Sequence, residues 1–199
     1  TVWAALVKLG QKKYLEAIKK ALTEPEDTSV RDRAAGLLGE IGEPSIIPFL
    51  KSSFGAEKDP LVRLTMAGSL GRLGDSSGLA YLEESLGSPN ELVKVIVVKA
   101  LGRIKQDYSL PLLREAWKDK NPFIRTYTII SLGELKQDSC TPILLRALKD
   151  PDAGVRMASA QALARYPAPQ VIKGLRQVLK DTEVKVFAAR SLRKICHKK

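Results

Sequence analysis

Hydrophobic and polar residues follow one another here with the period of amphipathic helices, and the helical pattern itself recurs along the chain. Val30-Arg31 is followed by Leu38-Gly39, Val62-Arg63 by Leu70-Gly71, Val93-Lys94 by Leu101-Gly102, and Ile124-Arg125 by Leu132-Gly133. In each copy Leu falls eight residues after the Val or Ile, and Gly nine after it. Val155-Arg156 with Leu163-Ala164, and Val184-Lys185 with Leu192-Arg193, continue the series with the glycine replaced. Leu9-Gly10 places a truncated first copy at Thr1. The copies begin at 1, 30, 62, 93, 124, 155 and 184, in steps of 29 to 32 residues. A near-constant step of this size marks a stacked repeat array.

Each copy reads as two helices. The second, inner helix is preceded by Asp27, Asp59, Asn90, Asn121, Asp152 or Asp181, three residues before the Val or Ile. These side chains accept bonds from the unpaired N–H groups of a first turn. Pro60, Pro122 and Pro151 are read at the first helical position, where a missing donor costs nothing. Inner helices are thus expected to start near 1, 28, 60, 91, 122, 153 and 182. The outer helices are expected near Ser45, Ser76, Ser109, Thr141 and Pro169, with apolar runs such as Ile46, Ile47, Phe49 and Leu50. Val93 to Val98 is β-branched and could pass for a strand, but the repeat register overrides that weak propensity. A single helix pair cannot bury its apolar face, so stacked pairs must share one continuous core. The expectation is one all-α domain over residues 1–199, an α-solenoid of about seven two-helix repeats, with no linker.

The string from Asp59-Pro60-Leu61-Val62-Arg63 through Gly71-Arg72-Leu73 resembles the HEAT-repeat family. It is most similar to the short-repeat subgroup that also occurs in phycobilin lyases. The resemblance implies a superhelix whose inner helices line the concave side. It also implies a structural ladder, in which the residue after the Val (Arg31, Arg63, Lys94, Arg125, Arg156) meets the capping Asp27, Asp59, Asn90, Asn121 or Asp152 of a neighbouring repeat.

With the core Val set at 0°, offsets −1, 2, 3, 6 and 10 fall together on the side away from the core. A stripe that serves only solubility should be polar, yet this one holds Leu61, Leu64 and Arg72, then Leu92, Val95, Ile96, Lys99 and Arg103. It continues through Phe123, Tyr127, Ile130 and Glu134, then Met157 and Arg165, then Phe187 and Arg190. The truncated copy adds Trp3, and only the repeat at Val30 is conventionally polar there. Large exposed apolar patches mark interaction sites, and aromatic and Arg side chains are the usual anchors. The same residues could instead be buried between adjacent inner helices of a tightly curved stack, or serve self-association.

Charge adds a second theme. The net charge is +11, made of +4 over residues 1–22, −4 over 23–100, +3 over 101–164 and +8 over 165–199. Basic ends attract nucleic acid, anionic lipid or acidic partners. No run of residues is long and apolar enough to span a membrane. The chain opens inside a helical pattern without an initiator Met, so an upstream segment is expected. Cys140 and Cys196 are far apart and read as reduced thiols of a cytoplasmic protein. His197 is the sole histidine and lies beside the C-terminus, which disfavours His-based acid–base chemistry. No phosphate-loop glycine motif follows a strand. Cys140 opens an outer helix without a base or second cysteine near it in sequence, and Cys196-His197 supplies only two metal ligands. The expected function is therefore a non-catalytic scaffold or adaptor, without a cofactor, that holds a partner protein segment in its groove. Nucleic-acid binding through the basic ends and a bilin-lyase or chaperone-like role are the alternatives.

Overall fold

The computed structural model describes residues 2–9, 11–24, 26–104, 106 and 108–197, and the side chain of Trp3 lies outside what is described. The described residues form thirteen α-helices and contain no strand. The inner helices are α1 (Val2–Lys8), α3 (Thr28–Ile41), α5 (Pro60–Arg72), α7 (Glu91–Arg103), α9 (Pro122–Leu135), α11 (Ala153–Leu163) and α13 (Lys185–Cys196). Between them stand the outer helices α2 (Lys12–Thr23), α4 (Ile47–Ala56), α6 (Leu79–Leu86), α8 (Ser109–Ala116), α10 (Thr141–Ala147) and α12 (Pro169–Gln177). The protein is an all-α solenoid.

Five of the six polar residues read as caps act as caps, whereas Asp181 does not, because the last inner helix begins after Val184 with no side-chain cap. Asp27 accepts from the Ser29 N–H at 2.8 Å, Asp59 from Leu61 and Val62, Asn90 from Leu92, Asn121 from Phe123, and Asp152 from Val155. Pro60 and Pro122 open their helices, but Pro151 stands one residue before the cap Asp152. The last inner helix starts at Lys185 rather than 182. This copy follows the one before it after 29 residues instead of 31, and residues 182–184 form a turn. Gly42 ends α3 with φ +76°, a left-handed conformation that suits glycine.

The chain divides into two compact units, residues 1–100 and 101–199. In the first, α3 packs on α5, α1 and α2 pack on α3, and α4 and α6 pack on α5. Leu22, Leu38, Ile46, Leu50, Val62, Met66 and Leu70 fill its core. In the second, α9 packs on α11 and α11 on α13, with α8, α10 and α12 behind them. Leu113, Ile124, Leu132, Leu144, Val155, Leu163 and Leu175 are among its buried residues.

Inner helices packed on so many sides leave a narrower arc open than an isolated helical wheel shows. Leu64 and Val95, both read as groove residues, are accordingly 1% and 5% exposed. Both sit at offset 2, on the rim of the stripe, and the neighbouring helices close over that rim. Val186, at the same offset on α13, stays 50% exposed. The core Val also differs between copies: Val30 is 37% exposed, whereas Val62, Ile124, Val155 and Val184 are buried.

The expected ladder exists with different rungs. Arg31 pairs with Glu57, its Nε and Nη2 donating at 2.8 and 3.1 Å. Arg125 forks onto Asp150 at 2.9 and 2.8 Å. Both acceptors stand two residues before the cap of the next repeat, not at the cap itself. They also receive the cap's own N–H, from Asp59 to Glu57 and from Asp152 to Asp150. Each carboxylate therefore ties a neighbouring Arg to the turn that starts the following helix. Arg156 does meet Asp181, at 2.8 Å, and Glu183 as well. Asp181 also accepts the Glu183 N–H at 3.0 Å, so it too acts as a rung acceptor ahead of the helix and not as its cap. Arg63 meets no carboxylate among the described residues: its guanidinium lies 5.1 Å from the Phe54 ring centroid and 4.4 Å from that of Tyr81.

The Glu57 carboxyl sits below its ordinary value because Arg31 and the Asp59 and Lys58 N–H groups outweigh its burial. A lowered folded-state pKa means the pair stabilises fully above the unperturbed 4.5 and loses its contribution as pH falls through the lower folded value. Glu57→Gln should therefore cost about 1–3 kcal/mol at neutral pH. Urea unfolding should show that gap closing below the carboxylate range, and a gap constant with pH would contradict the rung.

Candidate functional site

What stays open on the inner helices is a stripe at offsets −1, 3, 6 and 10. Offset −1 lies in the first turn, just inside the cap, where the chain has only begun to enter the stack. Leu61, Leu92 and Phe123 occupy it and are 41%, 59% and 52% exposed. In the unit of residues 1–100, Leu61, Leu92 and Lys99 are exposed while Arg72 and Ile96 are half-buried. In the unit of residues 101–199, Arg103, Phe123, Ile130, Glu134, Arg165 and Arg190 are exposed while Tyr127, Met157 and Phe187 are half-buried. Leu64 and Val95 drop out of the candidate site.

The second unit holds the more developed surface. Phe123 and Tyr127, one turn apart on α9, pack edge to face with centroids 4.9 Å apart and planes at 78°. Ile130 extends the apolar strip along the same helix. A Cβ built on Gly133 would come within 3.4 Å of Arg165 Nη1, so that guanidinium lies over the α9 backbone. Beyond it, Gln161, Ala164, Phe187, Arg190, Ser191 and Lys194 line a cleft of about 230 Å³ between α11 and α13.

Sequence reasoning missed two features. Glu57 and Asp150 as rung acceptors were legible as an acidic residue two positions before each cap. A larger groove of about 1000 Å³ between α12 and α13, lined by Pro167, Pro169, Ile172, Lys173, Arg176 and Ile195 among others, left no such signal.

The cysteines are both free. Cys140 is buried, and burial pushes its thiol up despite a hydrogen bond with Tyr166. Burial likewise raises the Tyr166 phenol, whose O–H donates to the Leu132 carbonyl at 2.9 Å. This pair is buried in the core. Cys196 and His197 are exposed. Among the described residues no group of three or more His, Cys, Asp or Glu is arranged to hold a metal ion. No described helix is long and apolar enough to cross a membrane.

The profile of the HEAT-repeat family matches residues 15–94, 85–139 and 118–196. The chain is a HEAT-repeat protein. Solved structures carry the same fold. The human deoxyhypusine hydroxylase in complex with glycerol is 20% identical, with TM-score 0.54 over 98% of this chain and 78% of that one. The complex of CpcE and CpcF of phycocyanin lyase from Nostoc sp. PCC7120 is 19% identical, with TM-score 0.55 over 98% and 86%. An engineered protein is 20% identical, with TM-score 0.51 over 92% and 96%. At these identities the likeness is one of fold, which HEAT-repeat proteins share across unrelated activities. Among curated proteins, none matches the sequence.

Proposed function

We propose that this HEAT-repeat protein is a binding scaffold that takes a segment of a partner protein on the exposed stripe of its inner helices. One observation carries the reading: Leu61 and Leu92 in residues 1–100, and Phe123 in residues 101–199, hold the same first-turn offset of their inner helices, and each is more than 40% exposed. Core packing does not explain their size, because the same offset carries Gly154 in α11 without loss of the repeat. Covering each such side chain contributes roughly 1.5–3 kcal/mol before the entropic cost of association. A helix or an extended segment is the natural guest of a groove of this kind. The two free cysteines suit a reducing compartment such as the cytoplasm.

Affinity capture with the wild-type chain beside a Phe123→Asp, Ile130→Asp double variant tests the reading. Both positions are exposed, so the variant should fold, as circular dichroism and the thermal midpoint will show. Retention of the partner should fall by about 10–100-fold. Equal retention by both chains, with folding intact, would sink the proposal.

Nucleic-acid binding is a second reading, favoured by the concentration of the entire net positive charge in residues 101–199. It requires a gel shift with DNA or RNA that weakens steeply with salt.

A further inference from the structure

The two units differ in charge as much as in surface. Residues 1–100 carry 13 basic and 13 acidic side chains, while residues 101–199 carry 20 and 9, so the whole net charge of +11 resides in the second unit. Its carboxylates are largely engaged in holding the fold. Asp150 and Asp181 anchor Arg125 and Arg156, Asp152 caps α11, and Glu115 pairs with Lys118. The cations of the stripe are left over. Arg165, Arg190 and Lys194 form no ion pair among the described residues, although each sits where an inner helix opens to solvent. They alternate with Phe123, Tyr127, Ile130 and Phe187.

The cleft between α11 and α13 concentrates this pattern. Its polar lining consists of the Gln161 amide, the Ser191 hydroxyl, the Arg190 guanidinium and the Lys194 ammonium, with no carboxylate, and Phe187 forms an apolar wall. At about 230 Å³ it falls below the range of pockets that enclose a free small ligand, and suits one side chain of a longer guest. Resting on the scaffold reading above, we propose that the stripe of residues 101–199 takes an acidic peptide segment with apolar anchors, and that a Glu or Asp side chain of the guest enters this cleft.

The arrangement favours a peptide over a nucleic acid. A phosphate-tracking groove spaces Lys and Arg continuously and excludes carboxylates. Here Phe123, Tyr127, Ile130 and Phe187 stand among the cations, and Glu134 is exposed on the same stripe of α9. Arg interleaved with aromatic side chains is the composition of protein-binding hot spots. An acidic guest would be steered by the charge of the unit and held by its anchors.

Selection from a random peptide display library on the immobilised full chain provides the test, followed by anisotropy titration of the enriched peptides. Three variants accompany the wild type: Phe123→Asp with Ile130→Asp, Arg165→Glu with Arg190→Glu, and, as a control of equal charge change on the exposed face of α12, Lys173→Glu with Arg176→Glu. The expected result is enrichment of peptides rich in Asp and Glu around Leu, Phe or Trp. Their affinity should fall at least about tenfold with Arg165→Glu and Arg190→Glu, and less than about threefold with the α12 control. Enriched peptides that depend on Phe123 and Ile130 but carry no acidic bias would overturn this inference while leaving the scaffold reading intact. Equal losses in the two charge variants would overturn it as well, by showing general attraction without a site. Peptides indifferent to Phe123 and Ile130, or tighter binding of a single-stranded oligonucleotide than of any peptide, would count against both.

Discussion

Leu101→Ala should lower the unfolding free energy by about 2–5 kcal/mol, read as a shifted denaturant midpoint at unchanged slope. Leu38, Leu70, Leu101, Leu132 and Leu163 occupy offset 8 of successive inner helices, and all five are fully buried. Removing three carbons from such a site forfeits both their transfer from water and the contacts around the cavity left behind. A repeat array passes stability from neighbour to neighbour, so a void in one repeat also weakens those packed on it. The matched control is Leu92→Ala, which removes the same atoms from a side chain that is 59% exposed, and it should stay within about 0.5 kcal/mol. A Leu101→Ala loss below about 1 kcal/mol would mean that the column is not a core.

Two glycines on one helix should respond in opposite directions to the same substitution. Both Gly36 and Gly39 lie in α3, where alanine is intrinsically better by about 1 kcal/mol. At Gly36 the nearest atom to an added Cβ is Thr65 Cγ2 at 3.8 Å, an ordinary contact, so Gly36→Ala should stabilise by about 0.5–1 kcal/mol. At Gly39 the new carbon would meet Ser69 Oγ at 2.5 Å, its Cβ at 2.7 Å and its Cα at 2.9 Å. The hydroxyl cannot swing away cheaply, because it donates to the Ala35 carbonyl at 2.8 Å. Even if it did, the Cα belongs to the backbone of α5, so α3 and α5 must move apart. Gly39→Ala should therefore destabilise by about 1–3 kcal/mol despite its better propensity. Thermal or urea unfolding of the two variants side by side settles the point. Effects of like sign would show that the glycine nine residues after each Val is a matter of propensity rather than of helix contact.

The second pattern explains why so much of the fold was legible. The glycine recurs with the leucine because one neighbouring inner helix touches there and the outer helix covers the other side. Spacing alone exposed both, together with the caps at Asp27, Asp59, Asn90, Asn121 and Asp152. The candidate surface was legible only in outline. A helical wheel treats a helix as isolated, so it placed Leu64 and Val95 in solvent when the stack closes over them. The ladder's acceptors differ for a related reason: the resemblance pointed to the cap, while the geometry of the turn presents the Glu57 and Asp150 carboxylates two residues earlier. Position 88 shows what a single change there does. It holds Ser, whose hydroxyl accepts the Asn90 N–H at 3.1 Å but cannot neutralise a guanidinium. Arg63, 25 residues upstream as Arg125 is of Asp150, turns to aromatic rings instead.

That exchange gives the molecule a fastening of a different kind. Arg63 is clasped by Phe54 from α4 and Tyr81 from α6, rings that stand 5.8 Å apart at 75°. A carboxylate gains a proton in acid and releases its arginine, but the face of a ring has no proton to gain. As acid protonates Glu57 and Asp150 and unbuttons their rungs, the three helices riveted through Arg63 should be among the last to come apart.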